Sequence, residues 1–171
     1  MIKDEIYIRP VNHADAELIL DWENNEENWS VSENDSPYSI GDIIVLIGEL
    51  KNVLKAKQAR WMICLTENGK PIGNVDLTEI NFNDHCCSIG ILIANRVNRR
   101  KGYALKALQL IESEALRLNL RKMRCTVHSD NRSSVDLFLK KDYIKIGIEN
   151  PSSSEEDDYI EIIIFEKCLK K

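Results

Sequence analysis

The sequence predicts one α+β domain, an α/β sandwich in which helices pack on the faces of a mixed β-sheet. Three observations predict it. Strand-like and helix-like stretches run in the order β-α-α-β-β-β-α-β-α-β-β, so some neighbouring strands must be joined through helices and the sheet must be mixed. An Asn68-Gly69 pair between two apolar runs marks a tight hairpin. With 171 residues, 43% hydrophobic and 30% charged, the chain supports one buried core and is short for two. Residues 1–171 therefore read as a single domain, without an internal repeat or linker.

Each element has a local cause. Ile6-Tyr7-Ile8-Arg9 alternates as a first strand, ended by Pro10. Asn12 is a helix cap before the apolar stripe Ala14, Leu18, Ile19 and Trp22. A polar, acid-rich stretch runs from Glu23 to Asp35, and Ser39 then caps a helix through Ile43, Ile44, Ile47, Leu50 and Leu54. Arg60–Thr66 and Pro71–Ile80 are the arms of the hairpin, and His85–Ala94 is the next strand. After the loop 95–101, Ala104, Leu108, Ile111, Ala115 and Leu118 recur at helical spacing. Met123–His128 reads as a strand, and Asp130 or Asn131 starts a helix to Lys141. Tyr143–Ile148 and Tyr159–Phe165 are final strands around a polar loop at 151–158, expected to be mobile.

Composition excludes several classes. A net charge of -5 argues against nucleic acid as the main partner, and an acidic surface tolerates cationic ligands such as amines. No apolar run approaches the roughly 20 residues that span a bilayer, and the first residues lack a signal-peptide core, so no membrane partner and a cytoplasmic location are expected. Five cysteines without CxxC spacing read as reduced thiols, and no cluster of ligands predicts a metal. A homo-oligomer is allowed.

The stretch that carries chemistry is Ser88 to Leu105, a strand that enters a basic loop before a helix starting at or just after Gly102. A helix N-terminus offers unpaired N–H groups and partial positive charge, which together bind a pyrophosphate. Gly102 lets the backbone approach the phosphates, Ala104 keeps the first turn uncrowded, and Arg99, Arg100 and Lys101 add charge. Alone, these residues read more safely as a glycine turn with three solvated cations. The seven glycines form neither GxGxxG nor GxxxxGK[ST], which removes Rossmann dehydrogenases and P-loop kinases.

Arg99-x-x-Gly102-x-Ala104 after a strand resembles the (Arg/Gln)-x-x-Gly-x-(Gly/Ala) motif of the GNAT N-acetyltransferases. About thirty residues on, Asn131 to Tyr143 resembles that family's second motif, Asn-x-x-(Ala/Ser)-x-x-x-(Tyr/Phe)-x-Lys-x-Gly-Phe, with Ser134, Phe138 and Lys140 in register. Ile8-Arg9-Pro10 and the Gly69–Gly73 hairpin fit as well. The resemblance spans nearly the whole chain and looks similar to the spermidine/diamine and ribosomal-protein N-terminal branches. It implies the acyl-CoA N-acyltransferase fold, with a mostly antiparallel sheet splayed between its fourth and fifth strands. It also implies acetyl-CoA as co-substrate, its pantetheine arm along Leu92, Ile93 and Ala94 and its pyrophosphate on Arg99 through Ala104, including Tyr103. Asn131 would hydrogen-bond the arm, Phe138 would pack on the cofactor, and a backbone N–H near Ile93 would face the thioester oxygen.

The implied reaction is direct attack of a primary amine on acetyl-CoA in a ternary complex. An alkylammonium with pKa near 10.4 is only about one part in a thousand free amine at neutral pH, a penalty of roughly 4 kcal/mol, so a base is needed. Glu79, on the strand before the cofactor strand, is the expected base, with Asp76 on the opposite face. Ser88 stands where many relatives carry Glu, and Phe138 stands where many carry the tyrosine that protonates the leaving thiolate. His85, His128 and Cys125 read first as structural residues. Asp21, Glu23, Glu26, Glu27, Glu33 and Asp35, with Glu155 to Asp158, would form an acidic rim suited to a polyamine or other small cationic amine, or else a solvated face. A peptide N-terminus, as in ribosomal-protein acetylation, and an amino sugar are alternative acceptors. A non-catalytic acetyl-CoA-binding module is the alternative of another class.

Overall fold

A computed structural model describes residues 5–29, 37–149 and 161–170. Strand β1 (Ile6–Pro10) leads through a 3-10 turn at His13–Asp15 into α1 (Ala16–Glu23), followed by α2 (Glu26–Trp29), α3 (Ile40–Glu49) and α4 (Val53–Ala56). Then come β2 (Ala59–Leu65), β3 (Pro71–Asn81), β4 (Cys86–Ile93), α5 (Tyr103–Arg117), β5 (Lys122–His128), α6 (Arg132–Lys140), β6 (Ile144–Glu149) and β7 (Ile162–Cys168). The strands form one sheet in the order β1-β2-β3-β4-β5-β7-β6, antiparallel throughout except between β4 and β5.

That exception creates the site. The parallel pairing runs only from Cys86–Lys122 to Ser88–Arg124, although β4 continues to Ile93 and β5 to His128. Beyond Ser88 the two strands part, and a gap opens at their C-terminal ends, where α/β sheets bind ligands.

Two apolar layers hold the sheet. On one face α5 and α6 bury Leu108, Ile111 and Phe138 against Val75, Met123 and Phe165. On the other, α1 and α3 bury Ile19, Trp22, Ile43 and Ile47 against Met62 and Cys64. No described helix is long and apolar enough to cross a membrane.

The expected helix from Ser39 through Leu54 is two helices. Ser39 caps α3 as expected, its Oγ accepting from Asp42 N while Asp42 accepts from Ser39 N. The chain then breaks, because Asn52 Oδ1 accepts from Lys55 N and starts α4 as a new N-cap. Ile43 and Ile47 are buried, whereas Ile44 and Leu54 face outward. The acid-rich stretch after α1 also contains a short helix, α2, that its composition did not announce. Residues 151–158, expected as a mobile loop, and the start of the last strand at Tyr159 lie outside the described residues.

The first turn is locked by a half-buried ion pair. Arg9 Nη1 and Nη2 donate to both oxygens of Asp15 at 2.8 and 2.7 Å, and Asn12 N donates to Asp15 Oδ2 at 2.9 Å. Burial opposes ionisation of Asp15, but the Arg9 guanidinium and the Asn12 N–H outweigh it and hold the carboxyl below its ordinary value. Because the folded pKa is depressed, the stabilisation is complete above the ordinary carboxylate pKa and disappears as pH falls through the folded value. Asp15→Asn is expected to lose about 2 kcal/mol of unfolding free energy at neutral pH. It should also flatten the acid limb of stability below about pH 4, both read from urea titrations across pH.

Candidate functional site

The gap between β4 and β5 widens into a cleft of about 920 Å3. Ile91, Leu92 and Ile93 form one wall, the loop from Asn98 to Ala104 its floor, and His128, Asn131 and Leu137 the other wall. At the floor α5 begins. Gly102 is its N-cap with φ 84°, and Arg100 also has a positive φ of 64°. The first helical N–H with a partner at Gly102 is that of Lys106, whose N donates to Gly102 O at 3.2 Å. The first turn of α5 therefore presents the positive end of the helix dipole to the floor of the cleft. A Cβ at Gly102 would meet no protein atom within 4 Å, so the space beside it belongs to the cleft. A positive helix end, a basic loop and an uncovered strand edge suit a long, anionic, extended ligand such as CoA.

Of the residues expected to hold that ligand, Leu92, Ile93, Arg99, Arg100, Gly102, Tyr103, Ala104 and Asn131 line this cleft. Three do not. Ala94 is 3% exposed in the core beneath α1 and α3, and its N donates to Ile72 O. Lys101 is exposed and is not part of the cleft lining. Phe138 is 3% exposed, with its ring 5.1 Å from Tyr143 and 6.2 Å from Phe165. It packs in the core because α6 turns its Leu137 and Lys140 face to the cleft instead. Arg99 lines the cleft, but its guanidinium turns inward, donating to Ile93 O, Ala94 O and Asn28 Oδ1. Asn131 Oδ1 accepts from Ser134 N, capping α6.

A second, smaller cleft of about 270 Å3 opens on the opposite side of β4, between the sheet and helices α1 and α3. Its polar centre is Arg60. Arg60 Nε and Nη2 donate to Asp76 Oδ1 and Oδ2 at 2.8 and 2.9 Å, and Nη1 donates to Glu23 Oε1 at 2.8 Å. Asn74, 5% exposed, adds its Nδ2 to both Asp76 oxygens at 3.2 Å. Burial works against the Arg60 charge, but Asp76 and Glu23 overcome it and hold the guanidinium firmly protonated. One cation between two carboxylates leaves one surplus negative charge in a cleft also walled by Trp22 and Tyr38. The two clefts share Ile91 and Leu92.

The structure does not bring Glu79 to either cleft. The β3–β4 register slips between Thr78 and Asn81, and Glu79 sits in that bulge with φ 49°, exposed, accepting a short hydrogen bond from Ser88 Oγ. Asp76, on the other face by its spacing, is the carboxylate that faces a cleft. Glu33, Asp35 and Glu155 to Asp158 of the expected acidic rim lie outside the described residues. Burial pushes the Cys87 and Cys125 thiols up to about 12, so neither is a nucleophile at neutral pH. Tyr143 is raised as well, chiefly by burial, and its hydroxyl donates to Met123 Sδ inside the core. His85 is tied to Asn119 O at 2.9 Å, whereas His128 lines the larger cleft. Among the described residues no group of three or more metal-ligating side chains occurs.

Sequence reading missed Arg60 and Asn74 altogether. Regular counting outward from the Asn68-Gly69 turn sets Arg60 opposite Leu77, and the register shift between Ile63 and Cys64 is what brings it opposite Asp76.

The acetyltransferase (GNAT) domain family model matches residues 5–143. No curated protein matches the chain. Among solved structures, spermidine N-acetyltransferase from Vibrio cholerae in complex with CoA and spermine is similar over 96% of this chain and 95% of that one, at 20% identity and a TM-score of 0.83. A dodecameric structure of spermidine N-acetyltransferase from Vibrio cholerae in an intermediate state is similar over 96% and 94%, at 20% identity and a TM-score of 0.78. A domain from Methanocaldococcus jannaschii covers 98% and 100%, at 20% identity and a TM-score of 0.77.

Proposed function

Because the chain belongs to the GNAT acetyltransferase family, whose members are acetyl-CoA-dependent N-acetyltransferases, we propose that it acetylates a small cationic amine of the polyamine class, acting as one domain over residues 1–171. The observation that carries the reading is the meeting of two clefts at Ile91 and Leu92, one built for an anionic extended ligand and one with a surplus negative charge. A reaction between two substrates held on opposite sides of one strand needs such a junction. The similarity of the fold to a spermidine N-acetyltransferase that binds CoA and spermine supports the same choice. The dodecamer recorded for that enzyme supports a homo-oligomer here.

Bound acetyl-CoA supplies the thioester whose acetyl group is transferred. The start of α5 at Tyr103 and Ala104 would hold its phosphates, helped by Arg100, and the Leu92–Ile93 edge would hold the arm, since these residues line the larger cleft. Glu23 and Asp76 attract the ammonium of the acceptor and take its proton, and Arg60 and Asn74 keep both carboxylates oriented. A backbone N–H on the Leu92–Ile93 edge stabilises charge developing on the acetyl oxygen. Phe138 and Tyr143 are both buried in the core, so neither protonates the leaving thiolate, and a thiol of pKa near 8.5 leaves acceptably without them.

The test is thiol release from acetyl-CoA in the presence of spermidine, spermine, diamines, amino sugars and peptides with free N-termini. Polyamine turnover is expected, and silence across the panel overturns the reading. Asp76→Asn and Glu23→Gln are each expected to raise the polyamine KM about tenfold or more, the scale of one lost charge contact, while CoA affinity stays unchanged. Equal KM values in variant and parent would remove the smaller cleft from the reaction.

A further inference from the structure

The loop between β4 and α5 is tied to α2 by two side chains, and acetyl transfer as described uses neither. Arg99 Nε donates to Ile93 O at 2.9 Å, and its Nη2 donates to Ala94 O at 3.1 Å and to Asn28 Oδ1 at 2.9 Å. Asn28 is 2% exposed, and its Nδ2 donates in turn to Trp22 O at 3.0 Å. Arg96 adds an ion pair with Glu27 at 3.1 Å, more exposed and therefore weaker.

The two ends of this chain of contacts belong to different clefts. Arg99 lines the larger one, and Asn28 and Trp22 line the smaller. α2 has four residues, too few to be stable by its own hydrogen bonds, so its order depends on what holds it. The Asn28 oxygen is buried, and losing the Arg99 donor would leave it unsatisfied at appreciable cost.

We propose that Arg99 is a positioning residue that couples the two clefts. CoA seated on the Arg99–Ala104 loop holds the Arg99 guanidinium in place, and Asn28 passes that restraint to α2 and to the wall of the acceptor cleft. The first ligand thus meets part of the ordering cost of the second, which is positive coupling between sites without a large change of shape. The inference rests on the reading of the larger cleft as the CoA site. It also reassigns the motif arginine, because a guanidinium already donating to three protein oxygens acts on the phosphates only through the loop it shapes.

Hydrogen exchange measured with and without CoA tests it, with the amides of residues 26–29 as the readout. In the parent protein, saturating CoA is expected to slow their exchange about tenfold, a typical coupling strength. Arg99→Lys should abolish that ratio at CoA concentrations that saturate the variant. Asn28→Ala, which removes the acceptor from the other side, should do the same and serves if the first variant folds poorly. General destabilisation would speed exchange in both states and leave the ratio intact. Equal protection in parent and variants, absence of protection in the parent, or a loss of CoA affinity on the order of a hundredfold in Arg99→Lys would each overturn the proposal. Failure of the parent to bind CoA overturns the acetyl-transfer reading with it, whereas binding without protection overturns this inference alone.

Discussion

Gly102→Val is expected to lower CoA affinity at least about a hundredfold, with the fold retained. The φ of 84° at Gly102 is closed to a β-branched residue, so the variant must move toward negative φ. That rotation swings the N–H groups of Tyr103 and Ala104 away from their common focus. A new Cβ would also project into space where no protein atom lies within 4 Å, the space the ligand backbone needs. The same emptiness is why the fold survives, since nothing in the protein is struck. Calorimetric titration with CoA reads the first effect and thermal melting the second. Tight binding by the valine variant would mean that the phosphates lie elsewhere.

The second large effect is the reverse case, damage to the fold that reaches the site. A Cβ at Gly73 would lie 1.9 Å from Leu92 O, 3.0 Å from Leu92 C and 3.1 Å from Ile93 Cα. These are backbone atoms, so no rotamer change relieves the collision. Gly73→Ala must push β3 and β4 apart at Leu92, one of the two residues both clefts share, and Ala94 N, which donates to Ile72 O, would be pulled with them. Roughly 3–5 kcal/mol of stability should be lost, together with turnover. Gly90→Ala is the control for the fold, because a Cβ there meets nothing within 4 Å. Equal urea midpoints for the two variants would contradict the close approach of Gly73 to β4.

These two glycines show how unevenly a sequence displays its reasons. Gly102 was legible because it sits in a motif whose chemistry is local, a turn opening a helix. Gly73 is consecutive with an ordinary hairpin, and its necessity lies in a strand about twenty residues away. Helical stripes behaved likewise. Leu108, Ile111 and Ala115 repeat on one face and are buried as expected, while the stripe ending at Leu54 ran past a break that one competing cap, Asn52, had written into it. Glu79 lies outside both clefts for a similar reason. Period-two counting assumes a regular strand, and a bulge with φ 49° places the side chain where counting does not.

The amino-acid order alone displayed the strands, the mixed sheet and the glycine-capped start of α5, because each follows from periodicity or from short-range backbone geometry, and its two motifs carried the resemblance to the family. Tertiary structure decided which carboxylates face an acceptor. Glu23, Arg60, Asn74 and Asp76 come from a helix and two strands, and only sheet register and helix packing gather them beside β4. It also decided that the motif arginine bonds inward, because the carbonyls of Ile93 and Ala94 and the buried Asn28 oxygen need donors that no neighbour in sequence supplies.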